Sequence, residues 1–496
     1  MLGMLITGFT SVLTIKIMLL LVLGVGVGII FGAIPGLSAS MAVALVLPVT
    51  FGMEPIEGIS MLIALYIGGV SGGLISAILL KIPGTPSSIA TCFDGHPMAA
   101  NGEAGKALGA GIVFSFLGGL FSIILLMFIA PSLAAITIKF GPYEYFSIAI
   151  FSLTMIASLS KGSLSKGLAS GIVGMLIAII GASPIDGTPR YTFGNYNMIT
   201  GFNLLPVLIG LFAVAEILKS AEDNVDVSTG EIRDYTIKGF GFTMKEFVSQ
   251  QWNALRSAVL GTGIGILPGI GGGTSNIIAY IVAKNQSKYP EKFGTGIIDG
   301  IVASETANNA TIGGALVPLL TLGIPGDGVT AILLGALMIH DITPGPLLFT
   351  TQGEVVYGIF AALLISNVIM LIMEFFGMRL FVRLLTIPKK FLLSIIIALS
   401  AVGAFGVNNR IYDIWSLLIF GVLAYVMEKF DYPTAPVILG VILGPIAEVN
   451  LRRGLMLSQG SFMPFLTKPI SITFLVLAVV SAYIVSRPKV KKVKVD

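Results

Sequence analysis

Charge is scarce in this 496-residue chain. Asp, Glu, Lys and Arg make up 11% of it, against about 25% in a typical soluble domain. A shortfall of that size excludes a water-soluble globular enzyme. Cysteine is nearly absent as well. Cys92 stands alone, which rules out an internal disulfide framework and a multi-cysteine metal site. Histidine occurs twice, at His96 and His340. No H-E-x-x-H is present, so an intramembrane metalloprotease is excluded, and no G-x-x-x-x-G-K-[ST] is present to serve a primary pump. A Ser–His dyad lacks any surrounding nucleophile motif.

Apolar residues are what the chain has, 55% of the total. Runs long enough to cross a hydrocarbon core of about 30 Å recur throughout: 15–31, 59–80, 107–130, 355–376, 391–405 with its neighbours, and 470–485. They do not alternate as barrel strands do, so the fold class is an all-α polytopic membrane protein in a lipid bilayer. The first run carries no signal-peptide cleavage pattern and is expected to stay as a helix. The formal net charge is +4, and the tail 487–496 accounts for it with Arg487, Lys489, Lys491, Lys492 and Lys494 against Asp496. Its place directly after an apolar run makes it a topology signal rather than a nucleic-acid patch, and the positive-inside rule puts the C-terminus in the cytoplasm. Arg379, Arg383, Lys389 and Lys390 mark a second cytoplasmic loop. Lysines near the N-terminus are too evenly spread to orient it.

One polar stretch, 221–253, divides the chain. It separates a first half, 1–220, from a second core, 254–350, followed by C-terminal helices over 351–486. Each half carries the same landmarks in the same order. "GAIPG" ending at Gly36 is followed by "KIPG" ending at Gly84; "GILPG" ending at Gly269 is followed by "GIPG" ending at Gly326. A double glycine precedes each second motif, Gly72–Gly73 and Gly313–Gly314, and a histidine follows each. The ordered match points to an internal duplication. Paired, Gly/Pro-interrupted hydrophobic segments are the sequence pointer to a secondary-transporter site. Proline removes a donor and glycine loosens the chain, so each motif should break a helix. Irregular backbone at membrane depth is tolerated only inside protein or around a water-filled cavity. A helix restarting after Pro-Gly offers free N–H groups and a positive dipole end, which hold anions without arginine.

The expected binding residues follow. They are Gly36, Ser38 and Ser40; Pro83, Gly84, Thr85, Ser87 and Ser88, with Pro86 placed to begin a helix; Gly269, Gly271, Thr274 and Ser275; and Pro325 and Gly326. Any one Ser or Thr is more often bonded back within or between helices, but the hydroxyls and exposed carbonyls of the four clusters together suit Na⁺ or a carboxylate. "DGIVASETANNATIGG", 299–314, is the most polar stretch inside an apparent span. An Asp at mid-membrane costs roughly 2.5–3.5 kcal/mol, so these groups should face a cavity or one another. Asn308 and Asn309 are read as substrate or ion contacts. Glu305, Asp327 and Asn276 are read as ion-coupling residues, with a packing role for Glu305 equally open. Lys81, the one basic residue beside a Pro-Gly break, either pairs with a substrate carboxylate or snorkels to water, with snorkelling favoured. The two histidines are expected at loop ends on the membrane surface.

The motifs "GAIPGLSASMAVALVLPVTFGMEP", "IPGTPSSIATCFDGHPMA" and "ETANNATIGGALVPLLTLGIPG…GALMIHDITPGPLLF" closely resemble the large membrane subunit of the tripartite tricarboxylate transporters, the TctA family, in register from about Gly32 to Phe349. The resemblance implies a bacterial inner-membrane secondary transporter of about 12 helices with re-entrant segments and inverted repeats. It implies as partners a small four-helix membrane subunit and a periplasmic solute-binding protein. It further implies ion-driven import of citrate-like carboxylates by elevator-like movement, with Na⁺ or H⁺ as coupling ion, no cofactor, no structural metal and no enzymatic activity. Pro35–Gly36, Pro83–Gly84, Pro268–Gly269, Asn308–Asn309 and Pro325–Gly326 fit the family's pattern. Lys81 departs from it, standing where an asparagine is usual, and so does His96, where an aromatic is usual. The competing class is an ion channel or a stand-alone carrier of another solute. Duplicated, off-centre broken helices suit alternating access better than a ring of filter loops.

Overall fold

The apolar runs form helices in the computed structural model, which describes residues 2–159, 163–222, 240–384 and 389–486. The basic tail, with the topology drawn from it, and residues 223–239 of the polar connector lie outside the described residues. Among the described residues, seven helices are long and apolar enough to span a bilayer, including Ile15–Ala33, Pro55–Leu80 and Gly353–Arg383, and shorter apolar helices accompany them. The only described strands are the two-residue pair Gly181–Ala182 and Pro189–Arg190. The protein is an all-α polytopic membrane protein.

All four Pro-Gly motifs interrupt helices. Ile15–Ala33 stops at Ile34, which is extended, and the chain restarts as Ala39–Thr50 with the Ser38 hydroxyl accepting from the Met41 N–H at 3.2 Å. That bond satisfies one of the orphan donors of a helix start. Pro55–Ser71 and Gly73–Leu80 run on to Lys81, whose φ of 58° is left-handed, and Pro86 opens the short 3₁₀ turn Pro86–Ser88. In the second half Gln251–Ile266 gives way to Gly271–Gln286, and Ile298–Leu322 to Gly328–Ile339. Gly323 ends Ile298–Leu322 at φ 70°, a conformation glycine adopts without a Cβ clash. A long helix then closes each series, Ala104–Thr137 in the first and Gly353–Leu384 in the second. Each half thus holds two broken helices followed by a long one.

By contact the chain forms two compact units, one of residues 1–138 with 205–422 and one of residues 139–204 with 423–496. In the first, small residues let backbones touch, as is usual where helices associate in lipid. A Cβ added to Gly28 or Gly32 would run into the backbone of Leu65 or Gly69; one added to Gly261 or Gly265 would run into that of Ala307 or Thr311. The breaks themselves are seated in a matching way. Gly84 lies on Gly32 and Gly73, and Gly326 lies on Gly265 and Ala315. A hydrogen bond from the Gly269 N–H to the Gly326 carbonyl at 2.7 Å ties the two breaks of the second series together. In the other unit, Gly174 and Gly440 seat Leu164–Ile179 on Ala435–Leu457. Its strand pair is fixed by Arg190 to Glu448 at 2.6 Å and Arg452 to Asp186 at 3.1 Å.

Candidate functional site

Within the first unit, segments from all four breaks line one cavity of about 190 Å³. One water needs about 10–15 Å³, so there is room for a small solute with ions or waters. The first break contributes Ser38 and Ser40, the second Thr85, Pro86 and Ser87, the third Gly271 to Gly273, and the fourth Asp327 and Gly328. Tyr66, Val70, Asn308 and Thr311 complete the wall. No Lys or Arg is among the described lining residues.

The helix starts around this cavity are not alike. That of Gly328–Ile339 is occupied by the protein's own carboxylate, because Asp327 accepts from the Thr330 N–H and hydroxyl, both at 2.8 Å. That of Ala39–Thr50 is capped by Ser38. The start of Gly271–Gln286 has no side-chain cap. Its three leading residues are glycines, so no side chain stands between the main-chain N–H groups and the cavity. A 16-residue helix with a bare N-terminus carries a positive partial charge of roughly half an electron there. Opposite lies Asn308, wholly buried. Its amide N–H₂ donates to the Val70 carbonyl at 3.3 Å, and its Oδ1 has no partner among the described residues. A Cβ on Gly272 would stand 2.7 Å from that oxygen. The cavity therefore sets main-chain donors and an unpaired acceptor, Asn308 Oδ1, close together. Tyr66 adds a bond across the chain's two series, its hydroxyl donating to Asp327 at 2.5 Å.

Of the expected binding residues, Ser38, Ser40, Thr85, Ser87, Gly271 and Asn308 line the cavity, and so does Asp327 from the ion-coupling set. The remaining positions lie elsewhere. Gly36, at φ 88°, and Pro83, Gly84, Gly269, Pro325 and Gly326 form the turns behind it. Ser88 and Thr85 cap each other's turn. Thr274 is half-buried. Ser275 bonds Thr311 at 2.6 Å. Asn309 is buried, donating to the Glu305 carbonyl at 3.1 Å. Asn276 is used in packing: its Oδ1 accepts from the Ala90 N–H at 2.7 Å and its Nδ2 donates to the Ser304 carbonyl at 3.2 Å. Glu305 is wholly buried and accepts from the hydroxyls of Thr91 and Ser115. Lys81 is exposed and does not line the cavity.

Of the two histidines, His340 stands at a loop end as expected, while His96 lies within a helix. His96 lies inside helix Thr91–Met98, with Nδ1 3.2 Å from the Ile78 carbonyl. His340 is the C-cap of Gly328–Ile339, 8% exposed, with Nε2 3.3 Å from the Thr50 hydroxyl. Helix Thr91–Met98 continues through Pro97 and runs into the π-turn Ala99–Glu103, which kinks at Gly102 with φ 85°. Sequence reasoning also passed over Tyr66, whose partner is 261 residues away, and Phe212. The Phe212 ring lies in the π-turn Gly210–Val214 and faces Gly328, where a Cβ would stand 3.2 Å from it. π-turns inside α-helices are frequent at functional sites.

The model of the family described as "Tripartite tricarboxylate transporter TctA family" matches residues 18–439. An Agrobacterium vitis protein named "Uncharacterized 52.8 kDa protein in TAR-I ttuC' 3'region" is 34% identical over 484 residues, covering 98% of this chain and 96% of the relative. A second A. vitis protein, "Uncharacterized protein in TAR-II ttuC' 3'region", is 37% identical over 231 residues, covering 47% of this chain and 96% of the relative.

Proposed function

The chain belongs to the tripartite tricarboxylate transporter TctA family and is a membrane transport component, not an enzyme; from that premise we propose that it is the permease subunit of a gradient-driven carrier that takes a small carboxylate through the four-break cavity. The observation that carries the reading is the uncapped start of Gly271–Gln286, facing the other three breaks across one cavity. Main-chain donors and hydroxyls accept a carboxylate there with no basic side chain.

Electrostatics then calls for a co-substrate. An isolated carboxylate loses tens of kcal/mol of hydration by Born estimates, and a helix N-terminus returns only about 0.3–2 kcal/mol. Asp327, on the cavity wall, adds a negative group. A carboxylate entering beside it needs a cation or proton to move with it, which is symport. Na⁺ is served by the Asn308 Oδ1 and the hydroxyls of Ser38, Ser40, Thr85 and Ser87, H⁺ by carboxylates. The duplicated order of elements supports inverted repeats of about a dozen helices in all, moving as an elevator in the bacterial inner membrane. A small membrane subunit and a periplasmic binding protein would complete the complex, the latter presenting citrate or a related acid. The test is uptake by proteoliposomes holding all three components, with Na⁺ and pH gradients imposed separately. Accumulation of an acid against its gradient is expected under one of them. Conductance without coupling, or chemical change of the acid, would overturn the reading.

A further inference from the structure

Glu374 is absent from the cavity and from every motif above, yet it is the carboxylate that the surrounding structure does least to satisfy. It lies in the second half of the spanning helix Gly353–Leu384 and is wholly buried. Its Oε2 accepts from the Ser71 hydroxyl at 2.9 Å, and its Oε1 is buried with no partner among the described residues. Among the described residues no ion pair reaches it. The helix packs against Leu2–Val12, Ile15–Ala33, Pro55–Ser71 and Ala104–Thr137, and the charged groups on those elements are engaged elsewhere. Lys16 pairs with Glu57 at 2.6 Å, Lys106 pairs with Glu246 at 2.6 Å, and Tyr66 bonds Asp327. Leu2–Val12 carries no charge. Glu305, also wholly buried, is the carboxylate within electrostatic range of Glu374.

Two ionised carboxylates in one buried region, with no cation among the described residues, would each be left desolvated and would repel one another. The hydrogen bonds separate their roles. Glu305 receives a hydroxyl donor on each oxygen, from Thr91 and from Ser115, and each such donor favours the charged form. Glu374 receives one donor and leaves one oxygen bare. A neutral acid tolerates that far better than a bare buried charge does. Ser71 directly follows Val70, whose side chain lines the cavity and whose carbonyl is held by Asn308. It ends Pro55–Ser71 just where that helix is interrupted at Gly72.

We propose that Glu374, held by Ser71 and set against Glu305, is a proton-binding site of the transport cycle, separate from the cavity that takes the carboxylate. The carboxylate takes up one proton from the aqueous side to which the site opens, going from charge −1 to 0, and gives it up on the other side. The assignment deepens the symport reading and rests on it only for the second arm of its test. In the first arm, the purified full-length protein is followed by infrared spectroscopy for a protonated carboxyl band, in water and heavy water, with no substrate. A band lost in Glu374→Gln, kept in Glu305→Gln and shifted in Ser71→Ala is expected. A band that survives Glu374→Gln, or one that sodium chloride removes from the unaltered protein, overturns the site, and Ser71→Ala answers the question if Glu374→Gln misfolds. In the second arm, labelled citrate uptake by the reconstituted complex follows an imposed pH gradient. One coupled proton gives about tenfold accumulation per pH unit, and Glu374→Gln should abolish that response. A response that persists in the variant overturns the proposal; a wild-type complex that accumulates nothing under any gradient, with the infrared band present, counts against the carrier reading instead.

Discussion

Replacing Gly272 by alanine tests the cavity with a single methyl group. The added Cβ stands 2.7 Å from Asn308 Oδ1 and 3.1 Å from Ser87 Cβ, and contacts under 3.0 Å force something to shift. The backbone there is helical, so alanine is accepted by the chain itself and the conflict is with the facing side chains. Asn308 is wholly buried and held by its bond to Val70, so moving it loses a hydrogen bond worth about 0.5–1.5 kcal/mol within the 1–3 kcal/mol usual for overpacking. Spent at a binding site, 1–3 kcal/mol is roughly a 5- to 150-fold loss of affinity. Uptake by the reconstituted complex should therefore fall at least fivefold at subsaturating acid, with expression and complex assembly unchanged. Gly263→Ala is the control. Its Cβ meets nothing within 4 Å, so it should leave uptake intact and raise stability by about 0.4–1 kcal/mol. Normal uptake by Gly272→Ala in a folded complex would refute the reasoning.

Two further substitutions separate charge from shape. Asn is as good an N-cap as Asp, so Asp327→Asn should keep Gly328–Ile339 intact, as read by thermal unfolding, while weakening the dependence of uptake on the coupling cation; unchanged cation dependence would remove Asp327 from the site. Lys81→Asn should alter neither ion dependence nor substrate preference in the same assay, since Lys81 is exposed and outside the cavity. Asparagine also accepts the left-handed φ of 58° at that position more readily than lysine does. A changed preference would assign the lysine to the substrate.

The sequence was informative where physics acts locally. A Pro-Gly pair removes a donor and loosens the backbone in one place, so all four interruptions were visible at Pro35, Pro83, Pro268 and Pro325, and the apolar runs announced the fold class. Long-range pairing was not visible. Asn276 reads as a polar group after a glycine-rich break, and only packing reveals that its amide is spent on Ala90 and Ser304. Asn308 and Asn309 look equivalent in sequence, but successive helix positions point about 100° apart, and Asn308 alone of the two lines the cavity. Tyr66 and Glu374 sit singly in apolar helices with partners 261 and 303 residues away. No periodicity marks them, and for Glu374 the one available signal was a carboxylate inside an apolar run.

The most direct measurement joins two breaks from the chain's separate series by a reversible bond. With Cys92 replaced by serine, Pro86→Cys and Gly273→Cys place Cβ atoms 3.7 Å apart, inside the 3.5–4.5 Å that a disulfide spans. Mild oxidation in membranes should join them in high yield, stop uptake of labelled acid, and release it again on reduction. Thiols that stay free under oxidation, or a cross-linked complex that transports at the reduced rate, would contradict the account.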